Sequence, residues 1–177
     1  MWSPSRRGPL AAARRVGALA LALLVTACGY HFPGAGAFPA EIRTVYLEAK
    51  PADTPLARAL TDALRRDGTV ALVDERSVAD GILMLSGGGI STRAAAIDTS
   101  GVATEYEVTV SADYRLLKPG RQAGELVREA SGLSRSSTYP YQAQTSPAVE
   151  EANKRRAGRQ AAEELAQRIL QSIKSGF

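Results

Sequence analysis

The stretch Val102-Ala-Thr-Glu-Tyr-Glu-Val-Thr-Val-Ser-Ala-Asp-Tyr-Arg-Leu116 decides the fold. Its even positions are mostly apolar, whereas its odd positions after Ala103 are charged or hydroxylic. Successive side chains of a β-strand point to opposite faces of the sheet. This period of two therefore predicts one long strand with a buried face and a hydrated face. The hydrated face carries Glu105, Glu107, Thr109, Ser111, Asp113 and Arg115.

Shorter strand patterns lie on both sides of this stretch. Runs rich in β-branched, aromatic or apolar residues predict strands at 42–47, 69–73 and 81–85, and a strand from about 125 to 136 returns antiparallel. Gly87-Gly88-Gly89 has no Lys-Ser/Thr after it and no helical pattern follows, so it does not indicate a phosphate-binding loop. We expect a bend or bulge there.

Two helices are predicted from apolar stripes with helical spacing. The first begins at Asp53-Thr54-Pro55, an N-cap followed by proline at the first helical position, and ends before Gly68. The second begins at Ser146-Pro147. Their core-facing stripes are Leu56, Leu60 and Leu64 in the first helix and Ala161, Leu165, Ile169 and Ile173 in the second.

The order of elements is then β-α-β-β-β-β-α, and each helix is apolar on one face only. We expect an α+β two-layer sandwich, in which both helices pack on one face of a mostly antiparallel sheet of four to five strands. The other face of the sheet is left to water or to a polar partner.

The N-terminal sequence is typical of an export signal. Four arginines without an acidic residue precede an apolar run from Val16 to Val25, which is too short to span a bilayer. The run ends in Val25-Thr26-Ala27-Cys28, which resembles a bacterial lipobox. We expect a cleaved signal peptide at 1–27, a tether at 28–40 and one α+β domain at 41–177.

Cys28 is the only cysteine, and we expect it to carry an S-diacylglycerol group and an N-acyl chain. Gly29 follows it, where an aspartate would favour retention in the inner membrane. The predicted location is therefore the outer membrane, on its periplasmic side.

Charge and composition argue against several classes of function. Residues 1–27 hold four of the 22 basic and none of the 18 acidic side chains, so residues 28–177 carry 18 of each. This balance does not favour nucleic-acid binding. The only histidine, His31, lies three residues from Cys28, so neither a nucleophile–base pair nor a metal site is expected. We expect no enzyme activity and no cofactor besides the lipid on Cys28.

Four short motifs, taken in order, resemble the LPS-assembly lipoprotein family, LptE. They are Cys28-Gly29-Tyr30-His31-Phe32, Thr104-Glu105-Tyr106-Glu107-Val108, Tyr114-Arg115-Leu116-Leu117 and Ser137-Thr138-Tyr139-Pro140. The resemblance implies a non-enzymatic plug inside the β-barrel LptD, which assists assembly of that barrel and delivery of lipopolysaccharide to the outer leaflet. The alternative is another envelope lipoprotein that acts as a secretion or barrel-assembly accessory.

Lipopolysaccharide binding requires cations that can reach phosphate groups. The candidates lie before the long strand, at its end and on the returning strand: Arg93, Arg115, Lys118, Arg121, Arg128 and Arg135. Family members can carry basic residues just before the Thr-Glu-Tyr strand, where this chain has Asp98-Thr99. For any single candidate, an ordinary surface charge that contributes little is the alternative interpretation.

Overall fold

The computed structural model describes residues 36–120 and 124–175, so Cys28 and Arg121 lie outside the described residues. Within these ranges, two α-helices and five strands follow one another in the predicted order. They are β1 (Thr44–Ala49), α1 (Pro55–Asp67), β2 (Ala71–Leu72), β3 (Gly81–Ile97), β4 (Ala103–Lys118), β5 (Glu125–Pro140) and α2 (Pro147–Ser175). A short 3-10 turn, Arg76–Val78, precedes β3.

Helix α1 has the ends that its sequence predicts. The Thr54 hydroxyl oxygen accepts a hydrogen bond from the Ala57 N–H at 3.1 Å, which satisfies a donor that the first helical turn leaves free. At the other end Gly68 has a φ of 66° and donates to the Leu64 carbonyl at 3.2 Å. This left-handed conformation favours glycine, and it ends the helix.

The sheet has the strand order β2-β1-β3-β4-β5 and is mixed. Strand β1 pairs in parallel with both β2 and β3, while β3-β4 and β4-β5 are antiparallel. The predicted α+β sandwich is confirmed, but half of its strand pairs are parallel. The connection through α1 makes β1 and β2 parallel, since a helical crossover returns the chain in the same direction. The connection through Arg76–Val78 then brings β3 to the other side of β1, again in the same direction.

Strands β3 and β5 are longer than their patterns predict. Strand β3 continues past the glycines to Ile97, with a register shift between Ser86 and Gly89, so the predicted bulge is confirmed. Strand β5 extends to Pro140. The long strands β3, β4 and β5 contain 17, 16 and 16 residues, against a usual length of about 5–6.

The core lies between the helices and one face of the sheet. It joins residues of both helices to alternate residues of β3 and β4, which confirms the predicted two-layer packing. Burial of each large aliphatic side chain stabilises the fold by about 1.5–3 kcal/mol. The largest fully buried side chains are Tyr114, Leu60, Leu64, Leu83, Leu116, Leu165, Ile169, Ile173, Val45 and Val108.

Candidate functional site

The face of the sheet that points away from the helices is lined by hydroxyls and charges, and we call it the polar sheet face. Because the even residues of β4 pack under the helices, its odd residues point to the opposite side. Thr109 and Ser136 lie opposite each other in the β4-β5 register, and their hydroxyl oxygens are 2.8 Å apart in a hydrogen bond. The face comprises Glu107, Thr109, Ser111, Asp113 and Arg115 of β4 with Glu129, Ser134, Ser136 and Thr138 of β5 and Ser91 and Arg93 of β3.

Four of the five charged side chains on this face form cross-strand ion pairs, and the fifth, Asp113, accepts a hydrogen bond from the Gly132 N–H at 2.7 Å. The Arg93 Nε lies 2.8 Å from Glu107 Oε1, and the Arg115 Nε lies 3.4 Å from Glu129 Oε2. The hydrogen bond from Arg93 holds the pKa of Glu107 below its usual value, and the same bond raises the pKa of Arg93. The polar sheet face is thus polar but internally paired, which suits a polar partner better than an apolar one.

The sequence-predicted lipopolysaccharide candidates differ in their partners. Lys118 forms an ion pair with Glu41, so three of the five described candidates, including Arg93 and Arg115, already contact a carboxylate. The other two lie on the edge strand β5 and donate to the carbonyl of the preceding residue, Arg128 at 2.9 Å and Arg135 at 3.2 Å. Among the described residues, neither has a carboxylate within 4.0 Å.

These candidates do not form one cluster. Arg93 lies opposite Glu107, and Arg115 follows Glu107 by eight residues along β4, about 26 Å away at about 3.3 Å per residue. Arg135 lies opposite Val110, a core residue, and therefore emerges on the helix side of the sheet. A single phosphate-binding patch made of all the candidates is excluded.

Two of the family motifs lie side by side in the sheet. Tyr106 of the Thr-Glu-Tyr motif is the register partner of Tyr139 of the Ser-Thr-Tyr-Pro motif. Their rings are stacked with centroids 5.8 Å apart, and Tyr141 meets Tyr106 edge-on at 5.2 Å. Burial raises the pKa of the Tyr139 hydroxyl. The motifs therefore share a structural role, which is to close the end of the core against the first half of α2.

The β3-β4 hairpin ends in a tightly held turn. Asp98 Oδ1 accepts hydrogen bonds from Ser100 N at 2.8 Å, Ser100 Oγ at 2.6 Å and Val102 N at 2.9 Å. The bond from the Ser100 hydroxyl is the main reason that the pKa of Asp98 is lowered. Ile97 and Val102 flank the turn, and Ile97 is 67% exposed.

The first described residues, 36–42, pack at the end of the domain opposite to this turn. Phe38 and Ile42 are buried in the core, and a Cβ on Gly36 would lie 2.6 Å from the carbonyl oxygen of Lys174. Only glycine permits so close an approach to the last turns of α2. Next to this contact, Lys174 Nζ forms a 2.6 Å ion pair with Asp67 Oδ1 at the end of α1.

A groove between the helices brings basic residues of both helices together. Lys154, Arg155 and Arg159 of α2 line it, together with Arg58 and Arg66 of α1. The spacing of Arg58, Asp62 and Arg66 at four-residue intervals is the sequence signal for this row. Sequence alone does not show that the two helices present their rows to one another.

Among residues 36–120 and 124–175, no group of three or more His, Cys, Asp and Glu side chains could hold a metal ion. Within the same ranges, no helix has both the length and the apolar character needed to cross a membrane.

The two helices on one face of a five-stranded mixed sheet define the class, an α+β two-layer sandwich. The same fold is found in rare lipoprotein B from Shewanella oneidensis, with a TM-score of 0.57, 19% identity and coverage of 75% of this chain and 95% of that one. A minor lipoprotein from Acinetobacter baumannii has a TM-score of 0.58, 17% identity and coverage of 76% and 92%.

The family of this chain is identified by comparison of its sequence. The model of the lipopolysaccharide-assembly family LptE matches residues 42–173, and the chain belongs to this family. The LPS-assembly lipoproteins LptE of Yersinia pestis and Yersinia pseudotuberculosis are each 34% identical over 104 residues, which cover 58% of this chain and 50% of theirs. The chain thus spans about half the length of the curated relatives it matches.

Proposed function

We propose that this chain is a non-enzymatic outer-membrane lipoprotein that plugs a β-barrel of the LptD type. Residues 1–27 would be removed, Cys28 would carry the S-diacylglycerol and N-acyl groups, residues 28–40 would form the tether, and the single domain at 41–177 would occupy the barrel. In this role the chain assists assembly of the barrel and delivery of lipopolysaccharide to the outer leaflet.

The observation that carries the proposal is the polar sheet face. A β-barrel with a water-filled lumen has a polar interior, because lumen-facing and lipid-facing residues alternate along its strands. The hydrogen-bonded hydroxyls of Thr109 and Ser136 and the Arg93–Glu107 pair present a surface that such a lumen can solvate or hydrogen-bond. Membership of the LptE family supports the same role.

The length of the strands agrees with a plug. The 16 residues of β4 extend about 50 Å at about 3.3 Å per residue. A bilayer with its headgroups is about 40–45 Å thick. A body of this length, placed along the barrel axis, reaches from one membrane surface to the other.

The tether would fix the orientation of the domain relative to the outer membrane. Gly36 packs against Lys174 at one end of the molecule, and the Asp98 turn lies at the far end of the β3-β4 hairpin. With the lipid of Cys28 in the inner leaflet of the outer membrane, the end near Gly36 faces the periplasm. The hairpin turn then points toward the cell exterior.

Arg128 and Arg135 are the best of the lipopolysaccharide candidates, because no carboxylate in the described part of the chain competes for them. The double variant Arg128→Gln/Arg135→Gln is expected to bind lipopolysaccharide more weakly than the matched variant Arg93→Gln/Arg115→Gln, which removes the same charge. Equal binding by the two variants in a titration with purified lipopolysaccharide would refute this ranking.

The plug itself is tested by photo-crosslinking from the polar sheet face in living cells. With p-benzoylphenylalanine in place of Ser136, ultraviolet light is expected to join the chain to a large protein whose electrophoretic mobility changes on boiling, as that of a folded β-barrel does. Unirradiated cells give the background. An adduct with a soluble or inner-membrane protein instead would favour an accessory role elsewhere in the envelope.

A further inference from the structure

The groove between α1 and the first half of α2 is an open site with an apolar base. It encloses about 500 Å³, within the usual range of small-molecule sites, about 300–1,000 Å³. Ala59 and Gly158 line it from the two helices, and Ile90 and Val108 line it from the sheet. Ile90 is 53% exposed although it belongs to the helix side of β3, so the described residues leave about half of it uncovered.

The helices supply five cations and three carboxylates to this groove: Arg58, Arg66, Lys154, Arg155 and Arg159 against Asp62, Glu151 and Glu163. Arg58 is paired with Asp53 at 2.6 Å, outside the groove lining, and Arg155 with Glu151 at 3.4 Å.

Three of the cations remain without a carboxylate partner within the described part of the chain. They are Arg66, Lys154 and Arg159, and Arg66 only donates to the Asp62 carbonyl at 3.2 Å. The site therefore combines an apolar base with a surplus of positive charge.

We propose that this groove binds one acyl chain of a phosphorylated lipid, with the phosphate held by Arg66, Lys154 and Arg159. The acyl chain would cover the exposed part of Ile90, which removes apolar surface from water. The phosphate would accept charge-assisted hydrogen bonds from the guanidinium and ammonium groups. A peptide segment fits less well, because its backbone N–H and C=O groups would be left unpaired against the apolar base.

This site is separate from the polar sheet face, since it lies on the helix side of the sheet. It also shares no residue with the strand arginines considered above. Lipid binding in the groove and insertion into a barrel can therefore fail independently, and an experiment on one does not decide the other.

Photo-crosslinking in cells grown with ³²P-phosphate tests the proposal on the full-length chain. p-Benzoylphenylalanine in place of Ile90 is expected to give a ³²P-labelled adduct of the protein. Because benzophenone inserts into C–H bonds, free phosphate gives no adduct, and the label reports a phosphorylated organic molecule, which fatty-acid analysis of the adduct identifies as a lipid. The same residue in place of Leu126, which is exposed on the edge strand β5, is the positional control and is expected to give little label.

Charge variants then test the contacts. In the Ile90 crosslinking background, Arg66→Gln/Arg159→Gln is expected to lower the label about tenfold or more, since one charge-assisted hydrogen bond contributes at least that factor. Arg65→Gln/Arg156→Gln removes the same charge from the same helices outside the groove and is expected to retain the label.

A steric variant provides a second, independent test. A Cβ on Gly158 would lie 3.7 Å from Val108 Cγ1, an ordinary contact, so Gly158→Ala is expected to fold and to retain the label. Gly158→Leu fills the groove and is expected to lose it. The proposal is overturned by an adduct to a protein, by the absence of any adduct from position 90, by equal label at position 126, or by full label in Arg66→Gln/Arg159→Gln.

Discussion

Replacement of Lys174 by methionine removes the charge at the point where α1, α2 and Gly36 meet. The Lys174–Asp67 pair is 2.6 Å long, and both side chains are only 16% exposed. Removal of one partner costs about 3–5 kcal/mol in a buried pair and about 0–1 kcal/mol at the surface. The partial exposure of this pair places the expected loss between these limits, at about 2 kcal/mol of the free energy of unfolding.

For a domain of this size, such a loss lowers the melting temperature by about 4–8 °C. Urea unfolding of wild type and Lys174→Met at neutral pH measures the loss in free energy of unfolding. Lys50→Met is the matched control, because Lys50 also contacts a carboxylate, Glu48 at 3.3 Å, but is 85% exposed. A loss no larger than that of the control would show that burial does not strengthen the Asp67 pair.

The same pair predicts a pH dependence. Burial alone would raise the pKa of Asp67, but hydrogen bonds from Lys174 and Thr69 outweigh it, and the pKa lies below the ordinary 3.8. A carboxyl whose pKa is lowered on folding stabilises the fold above its unfolded pKa and ceases to do so as the pH falls through the folded one. The difference between wild type and Lys174→Met is therefore largest at neutral pH and shrinks below pH 3.8. If the difference in free energy of unfolding between wild type and Lys174→Met stayed constant below pH 3.8, the lowered pKa of Asp67 would be contradicted.

Three further outcomes are expected. Tyr114→Phe breaks the 2.8 Å hydrogen bond between the Tyr114 and Ser172 hydroxyls and lowers the free energy of unfolding by about 1 kcal/mol, whereas unchanged urea unfolding would speak against that bond. Asp98→Ala removes the acceptor that orders the hairpin turn, so amide hydrogen exchange of Val102 accelerates while the core amides keep their protection; unaltered exchange at Val102 would contradict this. Cys28→Ala abolishes incorporation of labelled palmitate, and equal labelling of the variant would show that the anchor is elsewhere.

Much of the fold follows from local patterns that the structure confirms. Strand β4 has one buried and one hydrated face, so its alternation is visible from Val108 to Leu116. The caps of α1 at Thr54 and Gly68 are equally local, because the residue types required there are few. Each of these elements depends on neighbours within a few residues in sequence.

The second half of β3 could not be predicted in the same way. From Ser91 to Ala96 its residues are small or polar and nearly all exposed, so no apolar alternation marks it. Pairing with β4 holds it as a strand. Tertiary context, not local pattern, decides its conformation.

The residue types of the candidate site could be predicted from the sequence, but the ion-pair partner of each residue could not. Whether Arg93 meets Glu107 depends on the β3-β4 register, and that register is shifted at the bulge between Ser86 and Gly89. A change of one residue in register would move every side chain to the other face. The pairing of Lys118 with Glu41, 77 positions earlier in the chain, is likewise a product of the fold.

The most direct measurement of the central claim is affinity purification of the lipidated, full-length chain from solubilised envelopes. We expect one large β-barrel of the LptD type to be recovered in stoichiometric amount, and to be recovered also with the Arg66→Gln/Arg159→Gln variant, whose changes lie in the groove. Repeated recovery of the chain without any such barrel would contradict the proposed function.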